Sequence, residues 1–425
     1  MNIKKITTII IALFCVIITV KAQVKTADTL YYGNNINSHE KFSAIDSMLI
    51  QSIDSSWINN CTVLISKRGK ILFKKSYGRT EKGNEIPLDA IYRIASQTKA
   101  VTCVAALTLY EQGKFSLDDP VSRYIPEFKN MNVIKEYDKR EGTYTVVPAN
   151  REITIKDLFT HTSGIEYPEI GQYASLYAKS DIPAGWTNKS LILGDKIKEL
   201  SKYPLIHQPG TQFMYSYSID VIGYLIEIIS GKSLKEYLEQ NIFTPLGMND
   251  TYFYLPQNKY SRLIPMYTEN AVHKLIKWDS TMPGLQMDFA LHKGTYYAGG
   301  AGLVSTIKDY AIFLQMLLNG GEYNDHRILS KSTVKLLTTN QIGNIPAGYL
   351  DPNRWSLGFM IVTKEGQPQF GMSEGSFVWG GAFNTVYWVD SPKEIVALLY
   401  INQSPLSHHE IIDNFKKMVN IYLPN

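Results

Sequence analysis

The sequence predicts an α+β fold: an antiparallel sheet flanked by helices, with a mostly helical lobe inserted into it. Three observations indicate this class, namely a hairpin pattern near the beginning, a second hairpin pattern near the end, and a long stretch of helices and loops between them. Short hairpin connections join antiparallel strands, and helices at both ends can cover one face of the resulting sheet. A chain of 425 residues with 44% hydrophobic content can bury a large core of this kind.

The first 22 residues have the pattern of a secretory signal peptide. The segment MNIKKITTIIIALFCVIITVKAQ has a basic start, an apolar run and a small-x-small ending at Ala22. We expect cleavage after Ala22, which leaves residues 23–425 as a single exported domain, periplasmic or secreted. An uncleaved membrane anchor is the alternative. Because the apolar run is short for a span, we expect no stable membrane span in the mature protein.

The remaining elements follow in order along the chain. Residues 43–57 have helical spacing, and residues 61–78 read as two strands joined at Arg68-Gly69. A helical lobe is expected at about 115–300. Residues 376–402 form a second predicted hairpin that turns at Ser391-Pro392, and a terminal helix follows at 410–423.

A serine three residues before a lysine occurs at four places, so this spacing alone decides nothing. The four pairs are Ser38/Lys41, Ser96/Lys99, Ser305/Lys308 and Ser332/Lys335. Ser305 and Ser332 are predicted to be helix N-caps, whose hydroxyls accept hydrogen bonds from free backbone N–H groups. Ser38 lies in a polar stretch that is typical of a loop.

The surroundings of Ser96 differ from those of the other three serines. A strand-like segment leads into a helix that is apolar on nearly every face and stops at Gly113. Lys99 is therefore predicted to be buried, and no acidic residue within a helical turn could serve as its local counter-ion, so burial would favour the neutral amine. A neutral lysine one turn from a serine is a general base beside a nucleophile.

Charge and cysteine content exclude several other classes of function. The formal net charge is +4, and three of the lysines precede Ala22, so the balance does not suggest nucleic-acid binding. Cys61 and Cys103 are expected to be inert core thiols, although export would permit a disulfide. No cysteine and histidine cluster has metal-ligand spacing. We expect no cofactor and no metal.

Several ordered motifs extend the argument from Ser96 to most of the chain. They are SQTK at 96–99, LFTHTSGI at 158–165, PGTQFMYS at 209–216, SGKSLKEYLEQNIFTPLGM at 230–248 and GGAGLVSTIKDYAIFLQMLLNGG at 299–321. From about residue 61 to residue 401, this set resembles the superfamily of serine β-lactamases, penicillin-binding proteins and family VIII carboxylesterases, in which Ser-x-x-Lys is the first of three motifs. The resemblance implies a β-lactamase/transpeptidase-like fold and a serine hydrolase.

The resemblance also implies roles for individual residues. Ser96 falls on the nucleophile, Lys99 on its partner lysine and Tyr215 on the tyrosine of the second motif, and we expect Lys99 and Tyr215 to titrate as a coupled pair. The third motif maps onto residues 379–381, Trp379-Gly380-Gly381, as a substrate-binding strand. The backbone N–H groups of Ser96 and Ala382 would form the oxyanion hole.

Glycine pairs and histidines near these motifs also have simpler interpretations. Two glycines within a strand usually mark a bulge or a close backbone approach, and a bulge without chemical meaning is one alternative for Gly380 and Gly381. His161 and Ser163 could suggest a serine–histidine triad. In relatives the corresponding stretch shapes the wall of the site, so the resemblance implies a structural role for His161.

Two positions depart from the β-lactamases that hydrolyse drugs. Tyr217 stands in place of the asparagine of the second motif, and Trp379 in place of the cationic or imidazole residue of the third, so both are candidate substrate-binding residues. Because an indole has one N–H donor and no charge, recognition of a substrate carboxylate should be weak. Aromatic side chains near the predicted wall could suit an apolar or aromatic acyl group, or could simply pack between lobes. They are Tyr167, Tyr173, Tyr177 and Trp186.

We therefore predict a carboxylesterase-like serine hydrolase that forms an acyl-enzyme on an ester, amide or peptide of small size. A D-amino-acid peptidase or amidase ranks second and a true β-lactamase third. A sensor or binding module that keeps the fold without turnover is the alternative from another class. The sequence leaves the oligomeric state open.

Overall fold

The computed structural model describes residues 30–32, 41–168, 173–177, 180–183, 185–279, 282 and 286–424. The predicted signal peptide and Ser38 lie outside these ranges. Within them, no helix combines the length and apolar character needed to cross a membrane.

The centre of the structure is an eight-stranded sheet. The strands, in chain order, are β1 (Tyr31–Tyr32), β2 (Asn60–Lys67), β3 (Lys70–Gly78), β4 (Ile91–Arg93), β5 (Asn132–Asp138), β6 (Thr143–Pro148), β7 (Tyr267–Glu269), β8 (Leu275–Lys277), β9 (Val304–Thr306), β10 (Glu322–Tyr323), β11 (His326–Arg327), β12 (Arg354–Trp355), β13 (Met360–Ile361), β14 (Phe377–Gly381), β15 (Thr385–Asp390) and β16 (Ile395–Tyr400). The order across the large sheet is β1-β3-β2-β16-β15-β14-β13-β12. Every pair in it is antiparallel except β1 with β3. The other strands form the two-stranded pairs β4–β9, β5–β6, β7–β8 and β10–β11.

Both predicted hairpins are confirmed. In the first, Lys67 pairs with Lys70, and the two turn residues Arg68 and Gly69 both have positive φ, as a tight hairpin turn between twisted strands requires. In the second, β15 and β16 pair from Thr385 to Asp390 and turn through residues 391–394. The structure adds β14 before this hairpin, so three consecutive antiparallel strands place Trp379 and its neighbours in the middle of the sheet.

Helices cover both faces of the large sheet. They are α1 (Ser43–Asp54), α2 (Thr98–Glu111), α3 (Ile155–Phe159), α4 (Leu193–Leu200), α5 (Ser218–Ser230), α6 (Leu234–Leu238), α7 (Thr244–Leu246), α8 (Ile307–Leu318), α9 (Lys331–Leu337), α10 (Gln367–Phe370) and α11 (Glu410–Tyr422). The predicted first and terminal helices, α1 and α11, are confirmed, and their apolar side chains share one core with Trp388 of β15. A second core lies on the opposite face of the sheet. Leu398 of β16 lies in this second core, and its neighbour Leu399 lies in the core with α1 and α11, because successive strand side chains point to opposite faces. The predicted α+β class is confirmed.

The helix that follows Ser96 lies deep in the second core. Residues from Thr98 to Leu107 of α2 are buried without interruption, and α2 packs against α5. The helix ends two residues before Gly113, whose φ is +68°, which agrees with the predicted stop. Between α2 and β9 the chain forms the helices α3 to α7 and the hairpins β5–β6 and β7–β8.

Two of the predicted helix caps are wrong. The residue that caps α8 is Thr306, whose side chain accepts a hydrogen bond from the Asp309 N–H, whereas Ser305 belongs to β9 and hydrogen-bonds Thr251. The residue that caps α9 is Ser330, and Ser332 lies inside that helix. Each helix begins one or two residues away from the predicted point, because several hydroxyl residues compete for the cap and tertiary contacts select one of them.

Both cysteines within the described ranges are confirmed as inert core thiols. Cys61 and Cys103 are free and buried, and burial raises the pKa of each thiol.

Candidate active site

A sharp turn places Ser96 at the beginning of α2. The chain leaves β4, passes through a single 3-10 turn at Ala95–Gln97 and enters the helix. Ala95 has a φ of +45°, in the left-handed region that residues other than glycine rarely adopt. Such strain is concentrated at functional sites, where the surrounding structure holds it in place. Here it leaves the Ser96 side chain half-buried and facing a cleft.

Lys99 lies one helical turn beyond Ser96 and is buried as predicted, with 1% of its surface exposed. Its Nζ is 3.3 Å from Ser96 Oγ. The same nitrogen donates hydrogen bonds of 2.7 Å to the Tyr167 hydroxyl and to the Gly300 carbonyl oxygen. These contacts fix the amine beside the serine hydroxyl. Tyr167 is thus part of the polar centre of the site, a role that the sequence did not indicate.

Tyr215, far from Ser96 in sequence, lies beside both Ser96 and Lys99. Its ring centroid is 4.7 Å from Lys99 Nζ, and the Trp379 indole N–H donates a 3.1 Å hydrogen bond to its hydroxyl. Burial raises the pKa of Tyr215, while hydrogen bonds with Ser96 and Trp379 act in the opposite direction. Since burial is the larger cause, Tyr215 is a neutral phenol at neutral pH, able to donate and relay a proton.

A buried carboxylate that the sequence reasoning missed lies next to Lys99. Asp220, in the first turn of α5, is 1% exposed and accepts a 3.1 Å hydrogen bond from the Gly300 N–H. A Cβ added to Gly300 would lie 2.3 Å from Asp220 Oδ2 and 3.4 Å from Lys99 Nζ, so only glycine allows this close approach. No acidic residue lies within a helical turn of Lys99, as predicted, but a carboxylate from another helix lies nearby.

The electrostatics of Asp220 follow from its burial. Burial raises the pKa of its carboxyl to about 6, and the charge of Lys99 acts in the opposite direction. The one available sequence signal was an aspartate near the start of a mostly apolar helix, five residues after Tyr215. An acidic residue in a first turn is ordinarily explained by the helix dipole, so that signal was weak.

The third predicted motif lies on β14 and borders the same cleft. A Cβ at Gly381 would lie 2.3 Å from the Ile94 carbonyl oxygen, and one at Gly380 would lie 2.7 Å from the Thr385 carbonyl oxygen. The two glycines therefore permit a close backbone approach, and at Gly381 the approaching backbone is the segment that leads to Ser96. Ala382 follows the strand in a turn, and it lines the cleft together with Ser96. The oxyanion-hole role of these two N–H groups stays a prediction.

Comparisons with known proteins identify the family. The sequence profile of the Beta-lactamase family matches residues 45–417. The chain belongs to the beta-lactamase family. The predicted resemblance is thereby confirmed, and the chain is a serine hydrolase of this family.

Individual relatives support the same assignment. A protein of Mycobacterium tuberculosis, named only as uncharacterised, is 30% identical over 367 residues, which cover 82% of this chain and 87% of that protein. Lovastatin esterase of Penicillium rubens is 27% identical over 386 residues, which cover 83% and 90%. The solved structure of EstCE1, described as a hydrolase with promiscuous acyltransferase activity, has a TM-score of 0.76 at 24% identity and covers 91% of this chain and 100% of that one. This likeness confirms the predicted fold.

In this member of the beta-lactamase family, the cleft above Ser96 has a volume of about 390 Å³. The described residues that line it are Ser96, Tyr167, Trp186, Tyr215, Ala301, Tyr349, Trp379, Gly380, Gly381 and Ala382. None of these lining residues carries a charged side chain. The side chains of Lys99 and Asp220 are buried and do not line the cleft, and aromatic rings form much of its lining.

Not every predicted aromatic or motif residue reaches the cleft. Tyr217 is fully buried, and its hydroxyl donates to the Pro183 carbonyl oxygen at 2.7 Å and hydrogen-bonds Tyr296. The structure thus places Tyr217 in the packing behind the cleft, and direct contact with substrate has no geometric support in the described residues. Tyr177 packs on Tyr203 and Tyr173 on Tyr137, so of the four predicted wall aromatics only Tyr167 and Trp186 line the cleft.

His161 contacts Tyr215 rather than forming a triad with the serine. Its Nδ1 accepts a 3.1 Å hydrogen bond from the Ser216 N–H, so the ring proton is on Nε2. Burial, assisted by the charge of Lys99, holds the pKa of His161 well below its usual value, so the imidazole is neutral. Its ring centroid is 4.7 Å from that of Tyr215. A neutral ring in this place positions Tyr215, which agrees with the structural role expected for His161.

Proposed function

We propose that this chain is an esterase that hydrolyses neutral esters through an acyl-enzyme on Ser96. The observation that carries the proposal is the contrast within one cleft: a serine hydroxyl held between Lys99 and Tyr215 at the floor, and walls to which no charged side chain of the described residues contributes. The side chains of Lys99 and Tyr215 at the floor can move protons, while uncharged walls favour an uncharged substrate.

In the first half of the reaction, Ser96 Oγ attacks the ester carbonyl carbon and its proton passes to the Lys99 amine. The negative charge that develops on the carbonyl oxygen is stabilised by the N–H groups of Ser96 and Ala382. The C–O bond to the alcohol then breaks. The Tyr215 phenol donates a proton to the departing alkoxide and recovers one from Lys99, so that an alcohol leaves and Ser96 carries the acyl group.

In the second half, water replaces the alcohol. Lys99 accepts a proton from the water as its oxygen attacks the acyl carbon, the bond to Ser96 Oγ breaks, and that proton returns to the serine. A carboxylic acid leaves and the enzyme is restored. Asp220 lies on the far side of Lys99 and, when ionised, stabilises the ammonium that forms in each half.

The preference for a neutral ester over a D-amino-acid peptide rests on Trp379. A peptide that ends in a carboxylate needs a cation or a free donor in the third motif. The single indole N–H of Trp379 already donates to Tyr215 at 3.1 Å, so it is not available to a substrate carboxylate. The likeness to lovastatin esterase, a relative by sequence, supports ester hydrolysis independently.

The test compares three substrates: a p-nitrophenyl short-chain ester, a D-Ala-D-Ala peptide and a chromogenic cephalosporin. The Ser96→Ala variant serves as the background for each. We expect the highest kcat/KM with the ester, and no turnover above background in the variant. A higher kcat/KM for the peptide would identify a D-amino-acid peptidase and overturn our interpretation of Trp379. A stoichiometric burst without turnover would identify the sensor alternative.

We also propose that the protein is exported, with residues 1–22 removed. The support is the basic, apolar and small-residue pattern of this segment. N-terminal sequencing of the protein from the periplasm or medium should begin at Gln23. A protein that keeps Met1 in the cytoplasm would contradict the proposal.

A further inference from the structure

One large apolar side chain at the cleft is exposed although its neighbours are packed. Tyr349 lines the cleft above Ser96, yet 72% of its surface is accessible to solvent. It was not among the aromatic residues predicted from the sequence, because it lies in a loop about 130 residues from the second motif. An exposed aromatic ring at the mouth of a cleft can bury its surface only against a molecule that enters.

The turn that carries Tyr349 is anchored on both sides. Ala347 and Leu350 are buried in the core shared with α1 and α11, and the Leu350 N–H donates to the Ala347 carbonyl oxygen at 3.1 Å. Asp351 accepts hydrogen bonds from the Ala347 N–H at 3.1 Å and from the Arg354 guanidinium at 2.8 Å. The ring is therefore presented by a fixed turn, and little backbone ordering is required when a substrate binds.

The two indoles of the cleft, Trp186 and Trp379, are also held in place, because each donates its N–H to a hydrogen bond within the protein. The Trp186 N–H donates to the Ala301 carbonyl oxygen at 2.9 Å, and its ring centroid is 4.9 Å from that of Phe383. The Trp379 N–H is taken by Tyr215. Each indole therefore offers a substrate only carbon surface. Together with Tyr349 they supply aromatic surface from three distant parts of the chain to one cleft.

We propose that Tyr349 is a specificity-determining residue and that the substrate class is esters with a neutral aromatic group. This inference rests on the proposed esterase function and specifies its substrate. A small aliphatic ester would occupy the floor near Ser96 without covering the exposed ring at the mouth. An ester with an aromatic group long enough to leave the floor would pack against Tyr349 and lose its own contact with water at the same time. The aromatic group can belong to the acyl or to the alcohol part.

The experiment measures hydrolysis of three unactivated esters by pH-stat. Ethyl 3-phenylpropanoate has the aromatic group on the acyl part, benzyl acetate has it on the alcohol part, and ethyl acetate has none. In Tyr349→Ala, kcat/KM should fall roughly two- to tenfold for one aromatic ester, mainly through KM, and stay within about twofold for ethyl acetate. The aromatic ester that loses activity identifies which part of the substrate contacts Tyr349.

Two matched variants separate this role from a general effect. Tyr349→Phe should retain the wild-type preference, because the proposed contact uses the ring. Tyr144→Ala removes another exposed tyrosine, on β6, and should leave kcat/KM unchanged for all three esters. An equal loss for all three esters in Tyr349→Ala, or no loss for either aromatic ester, would overturn the proposal.

A binding measurement tests the contact with Tyr349 independently of ester hydrolysis. In the Ser96→Ala background, titration with ethyl 3-phenylpropanoate and with benzyl acetate should change tryptophan fluorescence, and adding Tyr349→Ala should raise the Kd for one of them roughly two- to tenfold. If the wild type hydrolyses no ester but this shift in Kd is present, the esterase proposal fails and the Tyr349 site stands. If esters are hydrolysed and the Kd does not change, the Tyr349 inference fails alone.

Discussion

Lys99 at the floor of the cleft and Tyr349 at its mouth differ in almost every physical respect. Lys99 is 1% exposed and contacts three oxygen atoms, with a buried carboxylate behind it. Tyr349 is 72% exposed and carries no charge. A change at the floor leaves buried polar groups unpaired, whereas a change at the mouth removes only contact area. We therefore expect mutations at the floor to lower the rate of catalysis strongly, and mutations at the mouth mainly to change substrate selectivity.

The largest effect is expected at Lys99. Lys99→Met keeps the length and apolar volume of the side chain but removes the amine beside Ser96, so kcat should fall roughly a thousandfold. Lys308→Met is the matched control, since Ser305 and Lys308 have the same spacing and Lys308 is exposed. Steady-state kinetics with the p-nitrophenyl ester provides the measurement. Retention of more than a tenth of wild-type kcat in Lys99→Met, in folded protein, would remove Lys99 from the mechanism.

Two tyrosines that are two residues apart sharpen the comparison. Tyr215→Phe removes the hydroxyl between Ser96 and Trp379, and kcat should fall roughly a hundredfold. Tyr217→Phe removes a hydroxyl that is bonded behind the cleft, so kcat/KM should stay within about threefold while the free energy of unfolding falls by roughly 1–2 kcal/mol. Kinetics and urea denaturation of both variants test this. Equal losses of activity would mean that Tyr217 also acts in the site.

The pH dependence should identify Asp220. Because burial raises the pKa of this carboxyl to about 6, it is neutral below that pH and ionised above it. The ionised form stabilises the ammonium of Lys99 that forms as Ser96 loses its proton, so kcat/KM should rise with pH through about 6. Asp220→Asn should abolish this rise and lower kcat/KM at pH 7 roughly tenfold.

Asp309 provides the control for this pH profile. It is also buried with a pKa raised to about 6, but its carboxylate accepts hydrogen bonds from the Asp250 N–H and the Thr251 hydroxyl. Asp309→Asn should leave the rise in place. A rise that persists in Asp220→Asn would assign the ionisation to another group.

The smallest expected effect is a change of selectivity at Trp379. Trp379→Lys introduces a cation into the wall, and the ratio of kcat/KM for a carboxylate-bearing peptide to that for the neutral ester should rise roughly two- to fivefold, as a solvent-accessible ion pair permits. Part of this rise reflects slower ester hydrolysis, because the donor to Tyr215 is lost. The three-substrate comparison measures the ratio. An unchanged ratio would show that the wall does not select against a carboxylate.

Local patterns predicted those parts of the molecule that local interactions determine. The hairpin at Arg68-Gly69, the terminal helix and the buried helix after Ser96 all follow from periodicity and turn residues within a few positions. The predicted N-caps of α8 and α9 were wrong, because neighbouring hydroxyl residues are equally suited to cap a helix and only their tertiary contacts distinguish them. The burial of Lys99 was predictable, because almost every neighbour in its helix is apolar.

Contacts between distant segments could not be predicted in the same way. The Asp220 carboxylate lies near Lys99 where Gly300 has no side chain to fill the space, and no sequence pattern near either residue indicates this proximity. Tyr349 is one of 28 tyrosines, and only the fold distinguishes it from the rest; Tyr167 was predicted near the wall, but its hydrogen bond with Lys99 was not. Tyr217 was assigned to the cleft by its place in a motif, whereas its side chain points into the packing behind it.

The most direct test of the account is to trap the covalent intermediate. The protein is mixed with a p-nitrophenyl ester, quenched with acid at short times and digested, and the peptides are measured by mass spectrometry. The account predicts an acyl group on Ser96 that forms in the wild type, forms more slowly in Lys99→Met and is absent from Ser96→Ala. Turnover with no acyl group on Ser96, or an acyl group on a different residue that persists in Ser96→Ala, would contradict it.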